Sequence, residues 1–263
     1  MSYQLSSTEE KNLKDIQTAY YMPPVLQRID LLLKEKIPKS YVFAFNKVYQ
    51  ILRESETEVR QIIQERKKQG KIKNVDQTVK SVVGNIFPRS IIYLFLQNKI
   101  VGNIKEDIFI TSKPKQVKGF DEISIINIGD TDTQKPDCDL IIYSYHSDKF
   151  NKKNLRKCII LSLKTSMRER AAQTYKWKLL LEIANDQGCA VREKYGISYD
   201  VPQIPLICFV TVNFYNEINN PQQRGMLKFF DRAFLAKELS EPSDFINPMS
   251  DIVEFVNEEF TDR

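Results

Sequence analysis

The sequence has few of the residues that build zinc sites and disulfide frameworks. Its 263 residues include one histidine, His146, and four cysteines without a CxxC pair. This composition argues against a zinc site and favours reduced thiols inside a cell. No apolar run approaches the roughly 20 residues needed to cross a bilayer, and the N-terminus lacks the basic start and apolar block of a secretory signal. We therefore expect a cytoplasmic protein with no membrane partner.

Acidic and basic residues are nearly balanced. The chain has 39 Lys and Arg against 34 Asp and Glu, a formal net charge of +5. This small excess favours a polyanionic partner but is far below that of a histone-like protein. With 42% hydrophobic residues, the chain can form an ordinary core in one large domain or two small ones.

Helical periodicity dominates the first hundred residues, and short apolar runs follow. The apolar spacing predicts helices over 7–20, 25–36, 41–70 and 75–100, with a kink or split at Pro88. From about residue 105, the runs EDIFIT, DEISIINI, DLIIYSY, CIILSL and IPLICFVTV predict strands. Further helices are predicted at 171–188, 224–239 and 250–260. The order implies a mixed α/β fold whose mixed sheet is flanked by helices, with an N-terminal helical domain (1–74) and a core (75–263).

Three charged residues lie at predicted strand ends. Asp137 and Asp139 in PDCDLII are two residues apart, so they share a face if the strand begins that early. Lys164 ends the run ILSLK, in which Ser162 shares its face. Carboxylate oxygens suit Mg²⁺, which lowers the pKa of water and neutralises charge in phosphodiester hydrolysis. Each residue alone fits a turn acid or a solvated strand end, but their joint order indicates a metal-dependent nuclease.

Polar residues suited to DNA contacts follow Lys164. The triplet Arg168, Glu169 and Arg170 carries guanidinium groups that can donate two hydrogen bonds to guanine and a carboxylate that can accept from cytosine. A salt-bridge cluster at a helix start is the alternative. Gln173 lies in the same predicted helix. Arg224, in the polar segment NNPQQRG (219–225), is a further candidate DNA contact, with a plain solvated loop as its alternative.

Taken together, these residues resemble the PD-(D/E)XK signature of type II restriction endonucleases. The dipeptide PD at 136–137 precedes the tripeptide SLK at 162–164 by about two dozen residues. Ser162 stands where the signature usually has Glu. With the Arg-Glu-Arg triplet, the pattern is similar to the CCGG-reading, BsaWI-like branch, in which the active-site Glu is moved to the following helix and an Arg-acid-Arg cluster reads the C:G pairs.

The sequence departs from that branch in two places. Some members have one more residue between their two arginines. The relocated Glu would fall at 176–178, where this sequence has no acid. Glu182, one turn further on, and Gln173 are the candidates to replace it.

The resemblance implies a Mg²⁺-dependent enzyme that makes site-specific double-strand breaks in DNA, at a CCGG-containing palindrome. Asp137 and Asp139 would bind the metal, and Lys164 would position the attacking water or the phosphate. A palindromic site implies a homodimer or a higher oligomer, and the family implies a prokaryotic cytoplasm and a companion DNA methyltransferase. Two alternatives stay open: a structure-specific DNA repair nuclease of the same fold, and a non-catalytic DNA-binding module.

Overall fold

The computed structural model describes residues 3–34, 37–146, 155–238 and 245–261, and the side chains of residues 168–173 lie outside this description. The helices in these ranges are α1 (Ser7–Gln17), α2 (Pro23–Leu32), α3 (Pro38–Phe43), α4 (Val48–Lys68), α5 (Val75–Ile100), α6 (Phe120–Ser124), α7 (Arg168–Asn185), α8 (Ala190–Tyr195), α9 (Pro221–Gly225) and α10 (Ile252–Glu259). The strands are β1 (Phe109–Thr111), β2 (Ile126–Ile128), β3 (Asp132–Gln134), β4 (Leu140–Tyr145), β5 (Leu155–Lys164), β6 (Ile197–Ser198), β7 (Leu206–Thr211), β8 (Arg232–Leu235) and β9 (Ile246–Pro248).

A six-stranded mixed sheet forms the centre of the protein, with the order β1-β4-β5-β7-β8-β9. Strands β1, β4 and β5 pair antiparallel, whereas β5, β7, β8 and β9 pair parallel. A smaller antiparallel sheet has the order β3-β2-β6. Because β5 and β7 are parallel, their carboxyl ends meet at one edge of the large sheet.

Helices cover both faces of the large sheet. On one face, Leu161 and Leu163 belong to a core shared with α1 to α5 and α10. On the other face, Ile160 and Phe209 belong to a second core, shared with α7 and the small sheet. Successive side chains of β5 point into opposite cores because side chains along a strand alternate between the two faces of the sheet. The predicted mixed α/β fold with flanking helices is therefore confirmed. The division into two domains at residue 74 stays a prediction. The first core contains residues from both sides of that position.

Helix α5 passes through the middle of the first core. It continues through Pro88 without a break, so the predicted split does not occur, and Phe87 and Ile91 on either side of the proline are fully buried. The apolar burial of these side chains offsets the energetic cost of the hydrogen bond that proline removes. Among the described residues, one helix, α5, has the length and apolar composition needed to cross a membrane. However, 61% of its most apolar stretch is buried inside the protein. This is the pattern of a core helix.

Three sequence predictions are wrong in part. Residues 232–235, predicted as helix within 224–239, form β8 beside β7. The apolar run there is too short for its periodicity to separate helix from strand, so parallel pairing with β7 decides the conformation. Residues 121–124, predicted as strand, belong to α6. The predicted helix at 41–70 is divided into α3, a 3-10 turn at Ala44–Lys47 and α4.

Candidate active site

The register of β4 and β5 places the acidic segment next to the end of β5. Leu140, the first residue of β4, pairs with Leu161. The backbone N–H of Asp139 donates to the carbonyl of Leu161 at 3.1 Å, so the sheet already holds the chain one residue before β4. In an antiparallel pair, residues before the start of one strand lie beside the end of its partner. Asp139 therefore lies beside the end of β5, where Lys164 is.

One ammonium group contacts two carboxylates at this point. Lys164 Nζ lies 2.6 Å from Asp137 Oδ2 and 2.8 Å from Asp139 Oδ2. Asp139 Oδ2 also accepts a hydrogen bond of 2.7 Å from the backbone N–H of Leu163. The lysine side chain is 10% exposed, against 37% for Asp137 and 25% for Asp139. The structure thus brings three of the predicted site residues together, with the carboxylates on the solvent side of the lysine.

Electrostatics keep Lys164 charged. Burial lowers the pKa of Lys164, but the hydrogen bonds to Asp137 and Asp139 outweigh it, so the pKa stands above its usual value. Cys138 lies between the two aspartates in sequence. Burial, together with the charges of Asp139 and Asp137, raises the pKa of its thiol. The Cys138 thiol therefore does not supply an anionic ligand at neutral pH.

The two aspartates match the needs of a magnesium ion. Among the described residues, no group of three or more His, Cys, Asp or Glu side chains is placed to hold a metal. Mg²⁺ keeps several of its waters and is usually held by one or two carboxylates together with substrate phosphates. Asp137 and Asp139 can supply those carboxylates, and DNA would supply the phosphate.

Ser162 takes part in packing between β5 and α7. It is fully buried, and its hydroxyl oxygen accepts a hydrogen bond of 3.1 Å from the hydroxyl of Thr174, which is also fully buried. This contact fixes α7 against the face of β5 that carries Lys164, two residues further along. Ser162 lies on the same face of β5 as Lys164, as the sequence predicts, but the contact observed for its side chain is with α7.

Glu182 lies in a different ion-pair cluster. Its Oε1 is 3.4 Å from Lys178 Nζ, and that nitrogen is 2.8 Å from Asp231 Oδ1. Asp231 in turn accepts a hydrogen bond from the backbone N–H of Ile207, which pairs with a β5 residue four positions before Lys164. Four strand residues span about 13 Å. The structure therefore does not bring Glu182 to Asp137 and Asp139, and Lys178 occupies the segment where the relocated Glu was expected.

The elements with the predicted DNA contacts begin at the same edge of the sheet. Helix α7 starts at Arg168, four residues after Lys164, so the triplet 168–170 forms its first turn and Gln173 its second. Lys164 pairs with Thr211 at the end of β7. The chain that leaves β7 there leads to α9, where Arg224 is exposed.

A family model described as BsaWI restriction endonuclease type 2 matches residues 113–255, more than half of the chain. The chain belongs to this family. It is therefore a type II restriction endonuclease, a nuclease whose substrate is DNA. The sequence matches no curated protein. The range matched by the BsaWI family contains the Asp-Lys cluster, α7 and α9, whereas α1 to α5 precede it.

Sequence reasoning missed Glu217 in this BsaWI-family protein. Its Oε2 accepts a hydrogen bond of 2.9 Å from the backbone N–H of Met167, the residue immediately before α7. Glu217 lies 50 residues further along the chain, in the polar segment after β7. The order β5-α7-β7 predicts a parallel crossover that brings this segment to the same edge, but nothing in the sequence distinguishes Glu217 from its polar neighbours.

Proposed function

We propose that the protein is a Mg²⁺-dependent type II restriction endonuclease that makes double-strand breaks at a CCGG-containing palindrome. The observation that carries the proposal is the contact of Lys164 with both Asp137 and Asp139, four residues before the helix that begins with the Arg-Glu-Arg triplet. Two acids and a lysine therefore lie just before a helix whose first turn has the groups needed for base readout. The arrangement fits the PD-(D/E)XK chemistry that the sequence resembles.

Each residue of the cluster has a distinct task in this proposal. A bound Mg²⁺ would lower the pKa of a water and neutralise charge on the scissile phosphate. Asp137 and Asp139 would hold the ion through their carboxylate oxygens. Lys164 would exchange its contact with a carboxylate for a contact with the attacking water or the phosphate, because its raised pKa keeps it a cation at working pH. Leu163 would keep Asp139 in place through its backbone N–H.

Specificity would come from the first turns of α7. Arg168 and Arg170 would each donate two hydrogen bonds to a guanine, and Glu169 would accept from a cytosine. Gln173 and Arg224 would contact flanking base pairs or phosphates. A helix that starts four residues after Lys164 keeps the read bases close to the cut bond. A two-fold homodimer, or a higher oligomer of such dimers, would read both halves of a palindrome.

The cellular setting proposed here follows from that activity. An enzyme that cuts DNA at a short palindrome would also cut the DNA of its own cell. A companion DNA methyltransferase would protect that DNA, and the enzyme would act in a prokaryotic cytoplasm. The net charge of +5 favours association with DNA without a strongly basic surface.

One observation favours a second function, a DNA-binding module without catalysis. The segment where the branch has its relocated Glu carries Lys178, which is paired with Asp231. Among the residues whose side chains the structure describes, the candidate metal site therefore has two carboxylates, those of Asp137 and Asp139. A structure-specific repair nuclease of the same fold is the other alternative, and it would act on ends or flaps.

One experiment separates the three functions. Purified protein is incubated with sequenced plasmid DNA and Mg²⁺, and the ends are mapped. Breaks at one short palindrome support the proposal, breaks at ends or flaps support a repair nuclease, and binding without nicking supports the non-catalytic module. Lys164→Ala serves as the control for contaminating nucleases.

A further inference from the structure

The residue at the N-cap of helix α7 supplies no capping side chain. Met167, the residue before its first turn, makes no side-chain capping bond. The first four N–H groups of a helix have no partner within the helix, and the N-terminal end favours a nearby negative charge. Here the acid comes from another part of the chain, because Glu217 Oε2 accepts from the backbone N–H of Met167 at 2.9 Å. The carboxylate thus holds the chain next to the proposed readout triplet.

The segment that carries Glu217 is itself fixed. Asn213 and Asn216 adopt positive φ values of 51° and 53°, a conformation that asparagine tolerates better than most residues. The Asn213 side-chain oxygen accepts a hydrogen bond of 3.2 Å from the backbone N–H of Ile218. The backbone N–H of Asn213 donates to the Thr211 hydroxyl at 2.9 Å. These bonds connect the segment to the end of β7. Glu217 therefore sits on a loop with a defined shape.

The same segment has a second contact with the chain that joins β5 to α7. The backbone N–H of Phe214 donates to the carbonyl of Thr165 at 3.2 Å. Together with the Glu217 bond, this holds two of the three residues between Lys164 and α7. Beyond Glu217, Asn220 caps α9 by accepting from two backbone N–H groups, and α9 carries the exposed Arg224. One loop thus joins the catalytic lysine, the start of α7 and α9.

We propose that Glu217 is a positioning residue for base readout: its hydrogen bond to Met167 fixes the start of α7, and with it the triplet, relative to Lys164. The inference rests on the proposed function of the triplet. A role as a third metal ligand does not fit, because no group of three such side chains among the described residues is placed to hold a metal. Loss of the Glu217 bond should therefore reduce discrimination between DNA sequences and leave metal binding unchanged.

The test compares Glu217→Ala, Glu217→Gln and Glu217→Asp on cognate duplexes and on duplexes with one substituted C:G pair. For Glu217→Ala we expect the ratio of kcat/KM values between the two duplexes to fall by about 10- to 100-fold, the effect of losing one charge-assisted hydrogen bond. Glutamine keeps both the length and an acceptor oxygen but loses the charge, so Glu217→Gln should recover part of the discrimination. Aspartate keeps the charge but is one methylene shorter, and should not.

Two controls make the outcome specific. Asp76→Ala removes an exposed acid from the first turn of another helix, α5, and should leave discrimination unchanged. Affinity for Mn²⁺ without DNA should be the same in all Glu217 variants. Unchanged discrimination in Glu217→Ala, better discrimination in Glu217→Asp than in Glu217→Gln, or a loss of Mn²⁺ affinity would each overturn the proposal.

A measurement without cleavage separates this inference from the proposed function. Hydrogen–deuterium exchange of the Met167 amide, in the absence of DNA, should be faster in Glu217→Ala than in the wild type. Equal exchange would overturn the positioning role even in an enzyme that cuts at one site. Faster exchange in a protein that cuts no specific site would support the contact and refute the proposed function of the triplet.

Discussion

Replacing Lys164 with alanine is expected to tighten the binding of a divalent cation while it abolishes cleavage. The lysine ammonium contacts the Oδ2 atoms of both Asp137 and Asp139, at 2.6 and 2.8 Å. A metal ion bound by those carboxylates must displace the ammonium or tolerate its repulsion. Without the lysine, that cost disappears, but so does the group that positions the attacking water or the phosphate.

The size of the effect follows from the two contacts. Both carboxylates are partly exposed, so solvent weakens each contact to about 0.5–1.5 kcal/mol. Two such contacts together amount to about 1–3 kcal/mol, which corresponds to a roughly 5- to 150-fold lower dissociation constant. DNA affinity should change little, because the lysine serves the chemistry and not the base readout.

Titration calorimetry with Mn²⁺ in the absence of DNA measures this change directly. Lys178→Ala is the matched control, because the Lys178 side chain is also 10% exposed and also contacts two acids, Asp231 and Glu182. Its Mn²⁺ affinity should equal that of the wild type. Unchanged or weaker Mn²⁺ binding by Lys164→Ala, or equal tightening in both variants, would refute the reasoning.

Three further predictions follow from the site. Asp139→Ala should lower the free energy of unfolding by about 1–3 kcal/mol, because it leaves the backbone N–H of Leu163 without its acceptor. Asp137→Ala should lower it by less than about 1 kcal/mol. Equal losses of the two variants in denaturant unfolding would contradict this prediction. Glu182→Ala should retain cleavage within about threefold of wild type, since its observed partner belongs to another cluster, and a hundredfold loss of kcat would restore it as a catalytic candidate. Arg168→Ala and Arg170→Ala should each lose about 1–3 kcal/mol of discrimination per base pair. Binding to cognate and scrambled duplexes at fixed salt checks this, and equal weakening on both would assign the arginines to the backbone.

The long elements of the fold were predictable from the sequence alone. Helix α5 was predicted over 75–100 with the observed bounds, because its apolar residues repeat over many turns. Strands β4, β5 and β7 were predicted because they are runs of Ile, Leu and Val bounded by turn residues. Strand β8 was not, because its four residues fit either period, and pairing with β7 and β9 selects the extended conformation.

The candidate site was predictable where its residues lie at strand ends. Asp137, Asp139 and Lys164 are charged residues beside buried strands, and antiparallel pairing of those strands is enough to bring them together. Glu217 was not predictable, because its contact spans 50 residues and depends on the shape of one loop. The contact of Glu182 with Lys178 follows from helix spacing, but the contact of Lys178 with Asp231 joins residues 53 positions apart, so the sequence alone does not show where this cluster lies.

The central claim is tested most directly by incubating the purified protein with sequenced plasmid DNA and Mg²⁺ and mapping the resulting ends. We expect double-strand breaks at one CCGG-containing palindrome, abolished by EDTA and absent with Lys164→Ala. Cleavage without sequence preference, cleavage that persists in EDTA, or undiminished cutting by Lys164→Ala would contradict it.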